Sequence, residues 1–516
     1  MKKWISGVIF FIACFVPFSF AYAGTILYVP IDDRPVSLDY TVDTAQAAGL
    51  TILTPPAEYL ASRAHQGDPE KLWQWVFDHC QQADALVLST DSLIYGGLVD
   101  SRVHHLDLSI LQERLERFKT IKERSFGAQL YVFSTIMRSP RMSAGGVEPD
   151  YYEEYGPRIF ELTALQDKAE RNSLSAQERQ SLQKDEAEIP QEYLTDWFER
   201  RNKNLDINRQ IITMAKTGVF DYVIMGRDDT AVYSQSQHEW RILQKDGAEL
   251  PASIFGAFPG TDQLGMVLLA RAYNNLTGQL PFVRIDYAPG TGGTTIPSYE
   301  DQPIAGTIRD HVVAAGGIVL LNPKVPDLIL AVNTPMDGIT HEANEMKNQV
   351  LDNVSSRMQT AQIQSDLIQG RQVAVADIAF ANGADNALMN SLAKQQLLDK
   401  ISAYSGWNTA SNTVGYAVAQ GMMAGSMTEK GRQQLLAVRY LDDWAYQANI
   451  RSQLQQKLYE LGGNSQFLDN SQAVMVREAE EREQLFTKQY LWMDPKKVKI
   501  SFPWNRLFEI KINLVS

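Results

Sequence analysis

Short runs of β-branched and apolar residues recur along this chain, each followed by a helical pattern, and that alternation restricts the fold to α/β architecture with parallel strands. One set of runs is Ile26 to Val29, Leu50 to Leu53, Ala85 to Leu88, Leu130 to Phe133 and Tyr222 to Met225. A second set is Ile254 to Ala257, Phe282 to Ile285, Leu328 to Ala331, Val373 to Ala376 and Ile401 to Tyr404. Equal sets predict two doubly wound, Rossmann- or flavodoxin-like parallel-sheet halves that meet near Gly247 to Pro251. The first eight runs also fit a (β/α)8 barrel with an appendage beyond residue 340. Either way, functional groups belong in the loops after the strands' carboxyl ends.

Residues 1–23 read as a cleavable secretory signal peptide. Lys2 and Lys3 precede an apolar run from Trp4 to Phe20, and Ala21-Tyr22-Ala23 places small residues where a signal peptidase reads them. Cleavage before Gly24 predicts a periplasmic or secreted protein, and no later segment is apolar enough for stable membrane insertion. What remains is long enough for two or three domains: an α/β domain over 24–250, a second over 251–425, and C-terminal helices with a closing strand over 426–516. The net charge of −13 repels nucleic acid and anionic lipid, and no basic cluster offsets it. Cys80 alone survives cleavage, so no intramolecular disulfide can form, and the residue reads as a small buried apolar one.

Between the fourth and fifth runs lies a helical insertion, about 140–216, far longer than an ordinary connection. It carries a capping box at Ser175 and Glu178, a stop at Pro190 and a second long helix from about Glu192 to Lys216. It reads equally as a lid or as a solvated excursion. The tail predicts helices over about 428–461 and 471–490, then a half-buried edge strand in the alternating residues Phe508 to Leu514.

Chemistry gathers where the strands end. After the first comes Asp32-Asp33-Arg34-Pro35, in which Arg34 either holds an anion by two hydrogen bonds or braces its own neighbouring acids. After the third comes Asp91 with Tyr95-Gly96-Gly97 and, further on, Arg102; the paired glycines permit close backbone approach. After the fifth comes Gly226-Arg227-Asp228-Asp229. Adjacent acids there point apart, so one can work on a ligand while the other pairs with Arg227 or caps the next helix, and such a division separates acid from base; the bland reading is a turn and a cap. Pro259-Gly260-Thr261-Asp262 follows, and later loops are rich in amides and aromatics: Tyr299-Glu300-Asp301, Asn333-Thr334, Asn382 to Asp385, and Trp407-Asn408 with Asn412. Flat rings beside amides suit a polyhydroxylated ligand, although Asn408 and Asn412 also suit a helix start.

Across Tyr28 to Pro35, Asp91 to Arg102, Gly226 to Asp229, Pro259 to Asp262, Tyr404 to Thr413 and Pro503 to Arg506, the chain resembles a bacterial family known as domain of unknown function 4127. The resemblance spans nearly the whole mature chain and implies a common fold without naming an activity. Where an Asp-Glu pair is expected in the fourth motif, this chain has Asp262-Gln263.

Other chemistries find less support. The seven histidines fall in no zinc-binding spacing. No Gly-x-Ser-x-Gly elbow or dinucleotide-binding glycine motif is present. No cofactor is called for, although Asp32, Asp91 and Asp228 offer the oxygen ligands a Mg²⁺ or Ca²⁺ takes. The leading expectation is an exported, glycosidase-like hydrolase acting on a glycan or small molecule. Asp32, Asp91, Asp228 and Asp229 are its candidate catalytic acids, and Asp33, Arg34, Tyr95, Arg102, Arg227, Asp262, Trp407, Asn408 and Asn412 its candidate binding residues. The alternative is a non-catalytic periplasmic receptor whose two halves close on a sugar or amino acid.

Overall fold

The computed structural model describes residues 24–142, 146–321 and 325–515. The leader read over residues 1–23 lies outside them. The chain forms two open parallel sheets, as the doubly wound reading predicts, and no barrel closes among the described residues. The first holds β1 (Thr25–Val29), β2 (Thr51–Leu53), β3 (Ala85–Ser89), β4 (Gln129–Ile136), β5 (Tyr222–Arg227) and β6 (Phe255–Pro259), in the order β2-β1-β3-β4-β5-β6.

In the second sheet, β7 (Phe282–Tyr287), β8 (Ile318–Val319) and β9 (Leu328–Asn333) are followed by β10 (His341–Glu342), which leaves it. Strand β11 (Val373–Asp377) rejoins, β12 (Phe380–Ala381) pairs with β10 as a separate ribbon, and β13 (Ala403–Ser405) completes the order β13-β11-β9-β7-β8. Counted within itself, each sheet begins 2-1-3-4-5, the flavodoxin-like order.

Side chains alternate between the two faces of each strand, and the core divides accordingly. Leu27, Leu86, Val132 and Val223 face the helices Pro69–His79, Leu108–Arg124 and Gln191–Lys216. Tyr28, Val87, Phe133 and Ile224 face the other way and join a single buried cluster that also contains Leu330 and Ala374 of the second sheet. The helices Leu264–Thr277 and Ala410–Met423 fill that space; the latter is buried along its whole length. Beyond the second sheet, Ile329, Val373 and Tyr404 pack on an outer layer that includes Leu388 and Trp444. The molecule is thus a five-layer stack with one helical layer common to both sheets.

Two strand assignments change. The run Ile254 to Ala257, grouped by sequence with the second half, lies in β6 at the edge of the first sheet, so the turn near Gly247 joins elements of one sheet. The second sheet is completed instead by β8, whose two residues are too few to show periodicity. Within the insertion, Ile207, Ile211 and Ile212 bury the long helix against the first sheet, making it the ordinary crossover before β5. The remaining helices, Tyr152–Arg171 and Ala176–Glu188, pack a satellite core around Tyr152 and Leu162 against Trp197 of the long helix, and the capping box at Ser175 and Glu178 forms.

The C-terminal region supplies the helices Glu429–Arg439, Arg451–Glu460 and Gln472–Tyr490. It closes with β14 (Val498–Ser501) antiparallel to β15 (Lys511–Leu514). Cys80 is buried with a free thiol, and no helix among the described residues is long and apolar enough to cross a membrane.

The shared layer depends on close helix approach. A Cβ at Gly415 would sit 2.2 Å from the Gln263 side chain. Gly415→Val is therefore expected to lower stability by about 1–3 kcal/mol or more, measured by urea denaturation.

Candidate functional site

The carboxyl edge of the first sheet opens into a cavity of about 250 Å3, lined by Asp32 and Arg34 after β1, Arg102, Arg138 after β4, Asp228 and Asp229 after β5, and Asp262 after β6. The second sheet adds Asn382, Asn408 and Asn412, and the C-terminal segment adds Trp504, Arg506 and Phe508. Residues some 470 positions apart therefore share one wall: Arg34 lies over the Trp504 ring at 5.4 Å, and behind them the Asp33 carboxylate accepts a 2.7 Å bond from the Trp504 indole.

Two chains of charge line this cavity. In the first, Arg34 Nε donates to Asp32 at 2.7 Å and its Nη2 to Asp262 at 2.5 Å. The other Asp262 oxygen accepts from the amides of Asn408, at 3.3 Å, and Asn412, at 3.4 Å. Asn412 Oδ1 in turn accepts from the backbone N–H of Asp262, so one amide fixes both loop and side chain. Of the two readings of Arg34, the brace is the one realised, but it reaches to β6 as well as to its own loop.

In the second chain, Arg102 binds Asp228 at 2.5 Å, Arg138 binds Asp229 at 2.8 Å, and Glu148 pairs with both arginines. The neighbouring acids are pulled apart by separate cations, as adjacent carboxylates in a turn allow. Arg227 takes no part: it is buried in a bidentate pair with Asp301 at 2.7 and 2.8 Å.

Burial grades these acids. The side chains of Asp32, Asp262 and Asp228 are nearly inaccessible, whereas that of Asp229 is 29 % exposed and is the one a ligand can reach. Burial raises the Asp229 pKa, the charge of Asp228 raises it further, and Arg138 opposes both. Burial raises Asp262 likewise, against Arg34. Burial disfavours charge on Arg34, yet Asp262 and Asp32 hold its pKa well above the ordinary arginine value.

The backbone is strained at the same place. Asp229, Tyr299, Asn382 and Asn408 all line the cavity and all have left-handed φ, of 29°, 68°, 59° and 60°. Each such non-glycine residue costs on the order of 1 kcal/mol or more and persists only where its surroundings enforce it. The Asn382 N–H donates to the Asn408 carbonyl at 2.8 Å, locking two of them together.

Of the residues singled out from sequence, Asp32, Arg34, Arg102, Asp228, Asp229, Asp262, Asn408 and Asn412 meet here, while Asp33, Asp91, Tyr95, Arg227 and Trp407 do not line the cavity. Asp91 is buried and accepts from Thr135 N–H and Oγ1 at 3.0 and 2.7 Å; burial pushes its pKa up to about 7 despite those donors. Tyr95 stacks on His104, and Trp407 packs edge-on to Tyr416. Asp32, Asp91 and Asp228 do not gather as metal ligands: among the described residues the group with ligand atoms within 4.8 Å of one another is Asp167, Glu170 and His238, already occupied by Arg241. Gln263, standing where a glutamate is expected, is buried against His311 and does not line the cavity.

Sequence reading missed Arg138, Glu148 and Gln466, and named Arg506 in the Pro503 to Arg506 motif without giving it a place in the site. Arg138 lies just past β4, where the strand-end rule would have flagged it had that end not been read as the start of the insertion.

With this geometry in view, the comparison with known families is direct: the family described as "Protein of unknown function (DUF4127)" matches residues 26–513. The chain belongs to that family. No curated protein and no solved structure matches it. The match runs unbroken through both sheets and the C-terminal segment, so all the elements that build the cavity lie within it.

Glu300, beside cavity-lining Tyr299, accepts from Ser411 N–H and Oγ at 2.5 Å, and burial pushes its pKa up to about 7. The unfolded chain releases this proton near the ordinary glutamate value, whereas the folded chain keeps it to about 7. Stability therefore falls as pH rises between those values and levels above them. Glu300→Gln keeps the accepting oxygen and removes the titration. Relative to its effect at pH 5, it should gain roughly 2–3 kcal/mol at pH 8, read from urea melts at the two pH values.

Proposed function

We propose that this protein is a carbohydrate-active, glycosidase-like hydrolase in which Asp229 is the proton donor. The observation that carries this reading is the unequal pair at the end of β5: Asp228 is salt-bridged by Arg102 and nearly inaccessible, while Asp229 is open to the cavity with a raised pKa. Two carboxyls in unequal surroundings are what acid-assisted cleavage of a glycosidic bond requires. Asp229 would protonate the leaving oxygen as the glycosidic bond breaks, Asp228 would face the positive charge that develops on the sugar ring, and water would then add to the anomeric carbon and return a proton to Asp229.

Asn382 and Asn408 offer amide oxygens toward sugar hydroxyls, while Asn412 holds Asp262 in place. Tyr299, 45 % exposed, offers a ring face, whereas Trp504 is flanked by Arg34 and Arg506 at 5.4 and 5.3 Å. A leader over residues 1–23 would deliver this activity outside the cytoplasm, toward envelope or extracellular glycans. The receptor alternative needs two halves that swing apart, and a buried cluster shared by both sheets opposes such a hinge.

The test is turnover of aryl glycosides and purified envelope glycans by wild type and Asp229→Asn. Loss of a general acid should lower kcat by roughly 100-fold or more with little change in KM. The reading fails if wild type cleaves none of these substrates, or if the variant is as fast as wild type.

A further inference from the structure

We propose that the second sheet carries its own ligand site, for a small amphiphile with an apolar body and an uncharged, hydroxylated head. A cavity of about 650 Å3 lies at the carboxyl ends of β9 and β11, against the first turn of the helix Val354–Ile368. This is the edge at which open α/β sheets bind ligands, and it stands in the second sheet where the Asp228/Asp229 cavity stands in the first.

Its rim is apolar and open to solvent: Met336, Ile339, Val350 and Val354 line it and are each more than half exposed. Its floor is polar and incomplete. Thr334 Oγ1 and Ser356 Oγ, on residues 2 % and 1 % exposed, have no hydrogen-bond partner although both residues line the cavity. Buried hydroxyls left unpaired cost stability, and a ligand hydroxyl can both donate to them and accept from them.

The head is uncharged because the lining already contains Asp337 and Asp385, which oppose an anion, while Lys347 Nζ lies 2.6 Å from His341 Nε2 and opposes a cation. The β10/β12 ribbon separates this cavity from the first. His341 and Phe380 face the second cavity, while Glu342 accepts from Tyr299 and Asn382 of the first at 2.8 Å each.

The experiment is calorimetric titration of the mature chain with n-octyl β-D-glucoside below its micellar concentration. Wild type should bind saturably at one site. Val354→Asp, on the exposed rim, should weaken binding at least tenfold, and Thr334→Val several-fold with an unchanged or higher Tm, which separates lost binding from misfolding. Asn408→Ala, which alters the wall of the first cavity only, should bind as wild type does. The proposal is overturned if wild type shows no saturable binding, if Val354→Asp binds normally, or if Asn408→Ala or competition by glucose alone removes the signal.

Discussion

Glu148 shared between Arg102 and Arg138 is the interaction on which the rest of the first cavity depends. Through it Asp228 and Asp229, consecutive residues that would otherwise repel, are drawn to different cations and acquire different exposure. Removing one partner of such a buried set leaves a charge with neither water nor counter-ion, which is far more costly than the set is stabilising. The arrangement thus demands completeness, and it ties the end of β4 and the loop after β5 to the helix that carries Arg102. Arg34 does the same across the sheet, from β1 to β6, and Asn408 and Asn412 extend the tie to the second sheet.

The left-handed residues follow from this bracing. Asp229 and Asn408 are held in uncommon backbone conformations by neighbours that are themselves fixed, so the strain can be sustained without loosening the loops. The common helical layer plays the larger-scale part: Gly265 and Gly415 let it sit tight against Tyr28 and Gln263, and the two carboxyl edges are thereby held in a constant relation.

Much of this is legible in the sequence, because buried parallel strands write continuous apolar runs and their ends write acids, glycines and amides. Asp32, Arg34, Asp228, Asp229 and Asp262 could be found that way. Whether a strand-end residue points into a cleft or back into the core depends on a turn of the backbone that composition does not report. Asp91 and Tyr95 share their loop's character with Asp32 yet turn inward to Thr135 and His104. Strand β8 is two residues long and β6 sits in sequence beside the second half, so neither its membership nor the exact division of the sheets is local information. Glu148 takes its place from Arg102 as well as from the nearer Arg138, and Arg506, paired locally with Glu509, reaches the wall only through the path of the last segment.

The tie between Asp33 and Trp504 has a consequence in time. The cavity is assembled from residues just after β1 and from residues some 470 positions later, with Arg506 and Phe508 forming part of the wall. During synthesis the first sheet can collapse while its carboxyl edge stays open and unfinished. No stretch of chain that stops short of Arg506 presents the whole constellation, so this edge is completed only when that segment has folded back against the loop after β1.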